Sequence, residues 1–340
     1  MLMKEFVQKM PKVELHVHLE GSIRPDTLLR LAEKYAVSLP ASTVEGLREW
    51  YKFRDFNHFI EIYKAISSCI RSGEDIELIA RDFLAGQAAQ NILYSEVTFT
   101  ADTHYRNGIP FDQQMAALRR ANDWAKAELG VEMRLVLDIP RMITSEEGHL
   151  TADWVLQTAG DGLVVALGLG GPEVGYPPER FTDAFGRVLA AKLPSVPHAG
   201  ETEGPASIWG ALNTLGARRI GHGVRCLEDE ALVEELRKRQ IPLEVCPTSN
   251  VCLKVVNDIQ SHPLPRLIAE GLYVTVNSDD PALFNTSLTQ EFWLCVEVFG
   301  LQWPMLKQLT LNAARATLLA EEEKQALVER VESGFLALGV

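Results

Sequence analysis

Eight short β-rich runs, separated by longer amphipathic stretches, limit the folds that this chain can adopt. The runs lie at residues 13–19, 94–100, 133–139, 163–170, 195–200, 219–223, 242–248 and 273–279. Alternation of strand and helix patterns is typical of βα units around a parallel sheet, and eight units favour a closed barrel. The sequence therefore predicts an α/β fold of the (β/α)8 TIM-barrel type.

Two parts of the chain exceed what eight plain units require. The stretch 22–91 is too long for one helix and predicts several helices inserted after the first strand, one of them over residues 55–71. After the last strand, residues 287–299, 305–311 and 321–338 also show helical spacing. Because no internal repeat or low-complexity linker divides the chain, residues 1–340 are predicted to form a single domain.

Composition narrows the class of partner. A net charge of −13 and a pI near 5.2 argue against nucleic acid, because phosphate binding relies on a basic surface. The longest apolar run, 163–171, is about half of the ~20 residues that a transmembrane helix needs. Five scattered cysteines without Cys-x-x-Cys spacing fit a reducing compartment. We therefore expect a cytoplasmic protein with a small-molecule partner and no membrane contact, whose oligomeric state the sequence does not determine.

Metal-binding and acid–base side chains follow the C-terminal ends of five predicted strands. The segments are HVH at 16–18, HAGE at 198–201, GHG at 221–223, CPTSN at 246–250 and NSDDP at 277–281. Side chains alternate faces along a strand, so His16 and His18 point the same way and can share one metal ion. Barrel enzymes carry their active sites at these strand ends.

Three imidazoles and one carboxylate suit a catalytic zinc ion, since structural zinc sites are closed and usually rich in thiolates. The candidate ligands are His16, His18, His198 and Asp279. Just past a strand end, Glu201 can donate a proton without occupying the metal. Between two glycines, His222 can contact the attacking water, and Asp280 can turn toward the substrate. A lone His-x-His also fits two partly buried polar residues, an interpretation that the other segments weaken.

The order of these segments and the residues in them resemble those of the adenosine/adenine deaminase family. The likeness is collinear over about residues 10–319. It is carried by PKVELHVHLEGS at 11–22, HAGE at 198–201, RIGHG at 219–223, LEVCPTSN at 243–250, NSDDP at 277–281 and LNAA at 311–314. The resemblance implies a (β/α)8 barrel with one Zn²⁺ per subunit, bound by His16, His18, His198 and Asp279.

The resemblance also implies a role for each polar group beside the metal. Glu201 would protonate purine N1, and His222 would help to deprotonate or hold the attacking water. Asp280 would hydrogen-bond purine N7, and the backbone N–H of Gly171 would meet N3. Zinc lowers the pKa of its water to around 7, and protonation of the ring makes C6 electrophilic, so that attack expels ammonia. The implied reaction is hydrolytic deamination of a 6-aminopurine.

Departures from the family pattern bear on the substrate. Glu20 stands where adenosine deaminases usually have an aspartate that contacts the ribose 5′-hydroxyl, and glutamate there is also seen in adenine deaminases. The segment GGPE at 170–173 matches neither group, and the arginine usual near Thr98 in adenosine deaminases is absent. Both features are similar to those of the bacterial branch that deaminates 5′-modified adenosines, including aminodeoxyfutalosine of menaquinone synthesis. We therefore expect a 6-aminopurine nucleoside as substrate, with the free base adenine as the alternative.

Two other interpretations stay open from the sequence. Zinc barrels that hydrolyse cyclic amides or esters share the His-x-His start, although residues 163–171 lack the bridging lysine of two-metal relatives. A catalytically inactive relative that only holds a nucleoside is the second, and the full ligand set together with Glu201 argues against it.

Two features of the sequence have more than one structural interpretation. The aromatic stripe of Phe53, Phe56, Phe59 and Tyr63 fits a lid over the ribose side of the pocket, or a helix that packs on the barrel. Inside the first strand, Glu14 fits a partner for a ligand histidine, or a buried hydrogen bond of another kind.

Overall fold

The centre of the molecule is a barrel of parallel strands, which the computed structural model describes over residues 2–54 and 56–340. In this described part of the chain, eight strands pair with their neighbours in chain order. They are β1 (Lys12–His18), β2 (Ile92–Phe99), β3 (Glu132–Pro140), β4 (Val164–Gly170), β5 (Ser195–Ala199), β6 (Ile220–His222), β7 (Leu243–Val245) and β8 (Val274–Val276). Each lies within or close to a predicted run, and the predicted (β/α)8 TIM barrel is confirmed.

Helices surround the barrel and connect its strands. In chain order they are α1 (Met3–Lys9), α2 (Pro25–Lys34), α3 (Val44–Trp50), α4 (Phe56–Ser67), α5 (Gly73–Ala89), α6 (Ala101–Arg106), α7 (Phe111–Glu128), α8 (Ser145–Gln157), α9 (Thr182–Ala190), α10 (Pro205–Asn213), α11 (Glu230–Arg239), α12 (Pro247–Cys252), α13 (Leu264–Ala269), α14 (Leu288–Glu297), α15 (Trp303–Ala316) and α16 (Glu321–Ala337). Over the residues that the structure describes, no helix combines the length and apolar character that crossing a bilayer demands.

The predicted extra helices are confirmed. The helices α2 to α5 lie between β1 and β2, and α14 to α16 follow β8. The helix predicted over residues 55–71 corresponds to α4, although its first residue, Asp55, lies outside the described residues. The helix predicted over 305–311 is longer, because Trp303 and Pro304 form its first turn and proline is well tolerated there.

Strand burial explains why polar side chains in the barrel must find partners inside the protein. Parallel strands that are covered on both sides bury nearly every residue, so their sequences are continuously apolar rather than alternating. All five residues of β5 are buried, as are the first six of the seven in β1. Buried polar groups require hydrogen-bond partners, and this requirement draws the polar residues of several strands together.

The last three strands end earlier than predicted because the chain leaves the extended conformation. His222 and Asp279 have φ angles of 61° and 64°, in the left-handed region that residues other than glycine rarely adopt. After β7, Pro247 begins the short helix α12. Such backbone strain persists where the surrounding structure enforces it, commonly at functional sites.

The barrel closes where the last strand meets the first. Beyond β8, Asp279 forms a parallel bridge with Val17 of β1. The N–H of His18 donates to the carbonyl of Asp279 at 2.8 Å, and the N–H of Asp279 donates to the carbonyl of His16 at 3.1 Å. This closing seam, formed by residues 16–18 and 279, therefore contains three of the predicted metal ligands.

Candidate active site

The four predicted metal ligands meet at the C-terminal mouth of the barrel. The candidate ligand atoms of His16, His18, His198 and Asp279 all lie within 4.8 Å of one another. The Nε2 atom of His18 is 3.1 Å from Nε2 of His198 and 3.3 Å from Oδ1 of Asp279. The Nε2 atom of His16 is 3.4 Å from the same oxygen.

These distances fit one metal ion among the four side chains. Zinc binds nitrogen and oxygen at ~2.0–2.2 Å, so ligand atoms at neighbouring tetrahedral corners are roughly 3.3–3.5 Å apart. The buried Nε2 atom of His16 has no hydrogen-bond partner among the described residues. Burial lowers the pKa of His16, but the nearby carboxylates of Asp279 and Glu244 outweigh it and raise the pKa to about 10. The cluster therefore attracts positive charge, which a metal cation supplies.

Glu244 of β7 orients the first ligand. The Nδ1–H group of His16 donates to Oε2 of Glu244 at 2.9 Å, so Nε2 is the nitrogen that faces the other ligands and would bind a metal. Arg219 donates to the other oxygen of Glu244 at 2.5 Å and to Glu96 at 2.6 Å. Sequence reasoning missed Glu244, although a glutamate inside an otherwise apolar strand is a signal of a buried partner.

Glu14 has a different role from Glu244. Its carboxylate accepts from the backbone N–H and the hydroxyl of Ser278, at 3.0 and 2.6 Å, and from Nε2 of Gln87 at 2.9 Å. Of the two interpretations, the contacts agree with a buried hydrogen bond, which fastens β1 to the segment that carries Asp279.

Small residues allow the ligands to approach each other. A Cβ atom at Gly221 would lie 2.9 Å from Cε1 of His16 and 3.1 Å from Cα of His198, so a larger residue would displace the ligand rings. The hydroxyl of Ser249 donates to Oδ2 of Asp279 at 2.6 Å, which leaves Oδ1 directed at the imidazoles. The segments around both small residues were recognised in the sequence, but Ser249 itself was not predicted to act.

Glu201 lies just past β5 as a buried carboxylic acid. The carboxylate of Glu173 accepts the backbone N–H groups of Gly200, Glu201 and Thr202 at 2.8 Å each, which fixes the loop. Burial raises the pKa of Glu201 well above its ordinary value, and the charges of Asp279 and Glu173 raise it further. Its Oε1 atom is buried without a partner among the described residues. Glu201 therefore combines a raised pKa with an unsatisfied oxygen beside the ligand cluster, as a proton donor requires.

Asp280 is a second buried acid beside the ligands. Burial raises the pKa of its carboxyl group well above the ordinary value, and the neighbouring charge of Asp279 adds to the shift. A Cβ atom at Gly21 would lie 1.7 Å from Oδ1 of Asp280, so only glycine fits at position 21. The Oδ1 atom is buried and has no partner in the described part of the chain, so Asp280, like Glu201, combines a raised pKa with an unsatisfied oxygen.

A chain of hydrogen bonds sets the orientation of His222. The N–H of Leu264 donates to Nδ1 of His262 at 3.1 Å, so neutral His262 carries its proton on Nε2. That nitrogen donates to Oδ1 of Asn250 at 3.1 Å, and Nδ2 of Asn250 donates to Nδ1 of His222 at 3.2 Å. His222 therefore carries its own proton on Nε2, 3.6 Å from Oε1 of Glu201.

Neither Asn250 nor His262 was predicted to take part in the site. Asn250 stands in the CPTSN segment at 246–250, which was singled out, whereas His262 has no motif around it and was expected only to help begin the helix before the last strand. Burial lowers the pKa of His222 to about 3 and that of His262 to about 4, so both rings are neutral. The hydrogen-bond chain is therefore formed by neutral groups.

A cavity adjoins the ligand cluster. One wall is formed by α4, and the residues along the cavity include His18, Phe56, Phe59, Ile60, Tyr63, Thr100, Asp138, Met142, Gly170, Gly171, His198, Glu201, His222, Asp279 and Asp280. Phe59 also packs against Phe53 and Phe284, with ring centroids 5.4 and 5.7 Å away. The aromatic stripe is thus cavity wall and core at once.

Gly171 and Glu20, the other two residues predicted to contact the substrate, lie in different environments. Gly171 follows β4 with a φ of 93° and lines the cavity. Glu20 is buried, and it is not among the described residues that line the cavity. Its contact with substrate stays a prediction.

Comparison with known proteins agrees with this geometry. The family model for adenosine deaminase matches residues 11–334. An aminodeoxyfutalosine deaminase from Streptomyces coelicolor is 38% identical over 332 residues, which cover 96% of this chain and 85% of the relative.

Two solved structures are similar along almost the whole chain. An adenine deaminase from Arthrobacter aurescens has a TM-score of 0.90 and 32% identity, covering 95% of this chain and 98% of its own. An amidohydrolase with bound Zn from Burkholderia ambifaria has a TM-score of 0.89 and 25% identity, covering 99% of this chain and 94% of its own. The matched family consists of metal-dependent hydrolases that act on C–N bonds in cyclic amidines, and this chain, a hydrolytic deaminase of adenine-type substrates, belongs to the adenosine deaminase family.

Proposed function

We propose that this protein is a zinc-dependent deaminase of a 6-aminopurine nucleoside, either adenosine or a 5′-modified adenosine such as aminodeoxyfutalosine. The products are the 6-oxopurine nucleoside and ammonia. The observation that carries the proposal is the pair of buried acids with raised pKa values, Glu201 and Asp280, which line one cavity beside the metal-ligand cluster. Adenine presents acceptor nitrogens along its ring edge, and two neutral acids are the donors that such a ring needs.

Glu201 is the general acid in this proposal. Its proton goes to purine N1, which withdraws electrons from C6 and prepares that carbon for attack. A zinc ion held by His16, His18, His198 and Asp279 would supply hydroxide near neutral pH, because it lowers the pKa of water to about 7. One zinc ion per chain is sufficient for this ligand set.

His222 holds the attacking oxygen. Since Asn250 donates to Nδ1, the Nε2–H group of His222 is the one that faces the reacting atoms. A donor in this position holds the oxygen in line with C6. The proton of the C6 hydroxyl is transferred to the amino group, the C6–N bond breaks to release ammonia, and the oxygen becomes the 6-oxo group while N1 keeps the proton from Glu201.

Two groups position the base. Asp280 donates its proton in a hydrogen bond to purine N7, and the backbone N–H of Gly171 donates to N3. Both residues line the same cavity as Glu201. Three fixed donors around one ring align C6 with the attacking oxygen, and alignment of this kind supplies a large part of an enzymatic rate.

The choice between nucleoside and free base is tested by one comparison. Turnover of adenine, adenosine and aminodeoxyfutalosine should be measured under the same conditions with zinc-loaded protein, from ultraviolet absorbance and released ammonia. We expect either nucleoside to be turned over faster than adenine. Preference for adenine would select the alternative, an adenine deaminase, and no turnover of any 6-aminopurine would contradict the reaction itself.

The Glu201→Gln variant tests the proton donor. The amide cannot protonate N1, so kcat should fall by about 10²- to 10⁴-fold, while zinc content stays at the wild-type level. Ammonia release and metal analysis of the same sample give both quantities. Glu203→Gln, two residues along the same loop, is the matched control and should keep wild-type activity. A Glu201→Gln variant with nearly normal kcat would exclude the assigned role.

A further inference from the structure

Glu20, the carboxylate expected near the sugar, is fully engaged within the protein. Its Oε1 atom accepts from Nε2 of His104 at 2.8 Å and from the backbone N–H of Thr100 at 3.2 Å. Its Oε2 atom accepts from the hydroxyl of Tyr63 at 3.1 Å. The residue is 1% exposed. Because Glu20 is buried and is not among the described residues that line the cavity, a substrate hydroxyl could reach it only if neighbouring side chains moved.

The carboxylate of Asp138 lines the cavity, whereas that of Glu20 is not among the described groups that do. Asp138 lies near the C-terminal end of β3 and is buried. The hydroxyl of Thr100 donates to its Oδ1 at 2.7 Å. Throughout the described residues, no side chain donates to Oδ2 of Asp138. One oxygen is therefore held in place and the other is available to a ligand.

The available oxygen lies beside Gly170. A Cβ atom at Gly170 would be 2.6 Å from Oδ2 of Asp138 and 4.0 Å from Cε1 of His198. The missing side chain at position 170 leaves this oxygen uncovered. Asp138 is thus next to the strand end that carries Gly171, the residue assigned to purine N3.

The chemistry of a purine nucleoside places its sugar at this side of the cavity. N3 and N9 are neighbours across C4 of the ring, and N9 carries the ribose. A group beside the N3 contact therefore faces the sugar rather than C6. A ribose hydroxyl is a hydrogen-bond donor, and a carboxylate oxygen is a strong acceptor for it.

We propose that Asp138 is a specificity-determining residue that accepts a hydrogen bond from a ribose hydroxyl and so selects 6-aminopurine nucleosides over the free base. The inference rests on the proposed deamination of nucleosides, which it deepens by naming the group that recognises the sugar. Burial raises the pKa of Asp138 to about 7, although the Thr100 hydroxyl opposes the shift. A second donor, from the substrate, would stabilise the carboxylate further.

The Asp138→Asn variant tests the proposal because it replaces one carboxylate oxygen, the available Oδ2, with an NH₂ group. The hydroxyl of Thr100 requires an oxygen opposite it, so the new NH₂ group takes the place of Oδ2 and presents a donor to the sugar. We expect kcat/KM for adenosine to fall by about 10- to 100-fold, as when a charged hydrogen-bond acceptor is removed. For adenine, kcat/KM should change by less than about threefold, the scatter that we allow for context.

Asp102→Asn is the matched control. Asp102 is a buried carboxylate two residues after Thr100. It pairs with Arg106 at 2.6 Å and is not one of the described residues along the cavity. The ratio of adenosine to adenine turnover should stay at the wild-type value in this variant. If Asp138→Asn does not fold, Thr100→Val removes only the orienting hydroxyl and should lower the same ratio by a smaller factor.

Product binding separates a failure of this inference from a failure of the proposed reaction. Calorimetry with inosine and hypoxanthine reports recognition of the sugar without turnover, and Asp138→Asn should weaken inosine binding alone. Wild-type protein that deaminates neither adenosine nor adenine would contradict the reaction, while the binding ratio would still decide the role of Asp138. Equal losses for the nucleoside and the base, in turnover or in binding, would overturn the inference.

Discussion

At the scale of single residues, hydrogen-bond partners decide which atom of each buried side chain faces the substrate. Glu244 leaves Nε2 of His16 free for a metal, and Asn250 leaves the proton of His222 on Nε2. The motifs around His16 and His222 could be predicted from the sequence because each occurs in a recognisable segment. The partners could not, since Glu244 is 228 positions from His16 and its segment gives no sign of the pairing.

The His262→Gln variant tests the buried, neutral state of this histidine. Burial lowers its pKa from 6.5 to about 4, so between these values the unfolded chain binds more protons than the folded one. The free energy of unfolding therefore falls as the pH falls from about 6.5 to about 4, by at most about 3 kcal/mol from this group.

Glutamine does not titrate, so the variant should show a shallower loss of stability in this window. Urea unfolding at several pH values measures it. His149→Gln, at a half-buried position beside Arg187, serves as the control and should retain the wild-type slope. A His262→Gln variant with the same slope as the wild type would show that His262 is not held neutral.

At the scale of elements, α4 connects the core to the cavity. Phe59 is 7% exposed and touches both, whereas Phe53 and Phe56 contact it from different sides. Helical spacing predicted this element, but spacing cannot separate a cavity wall from core packing, because both need apolar residues on one face. The ends of β6 and β8 also escaped prediction, since the left-handed conformations of His222 and Asp279 involve no glycine.

The pair Phe56→Ala and Phe53→Ala separates the two roles of this aromatic cluster. Both rings pack on Phe59, with centroids 5.7 and 5.4 Å away, so each variant should lower Tm by a similar amount. Phe56 lines the cavity and Phe53 is not among the described residues that do. Only Phe56→Ala should raise KM for the nucleoside, by several-fold. Thermal denaturation and steady-state kinetics measure these effects, and equal KM values in the two variants would argue against a substrate contact.

At the scale of the whole molecule, the metal site and the closure of the barrel coincide. His16 and His18 belong to β1, Asp279 follows β8, and backbone hydrogen bonds join them across the closing seam. The barrel itself could be predicted because eight strand-like runs are visible in the sequence. The residues that pair where the barrel closes could not be predicted. Closure depends on an isolated bridge between Val17 and Asp279, which are 262 positions apart.

Removal of the metal should therefore destabilise the fold as well as abolish activity. A ligand that binds only the folded state stabilises it by about 4 kcal/mol at a concentration 1,000 times its Kd, so chelation should lower Tm by several degrees. Calorimetry with and without chelator, together with metal analysis, measures the change.

Two variants complete this test of the metal site. Asp279→Ala should lose zinc, and its Tm should not change when chelator is added. Asp280→Asn should retain zinc, and its Tm should fall with chelator as in the wild type. Stoichiometric zinc in Asp279→Ala would contradict the assigned ligand set.

The cavity is lined by buried and by exposed residues. The acids and the ligand cluster are buried, whereas Met142 is 39% exposed. In the proposed reaction C6 lies at the acids and the ligand cluster, so the substituent at N9, on the opposite side of the ring, meets other residues. Selection for the base and selection for its substituent are then carried out by separate sets of residues, which can diverge independently while the catalytic chemistry is retained.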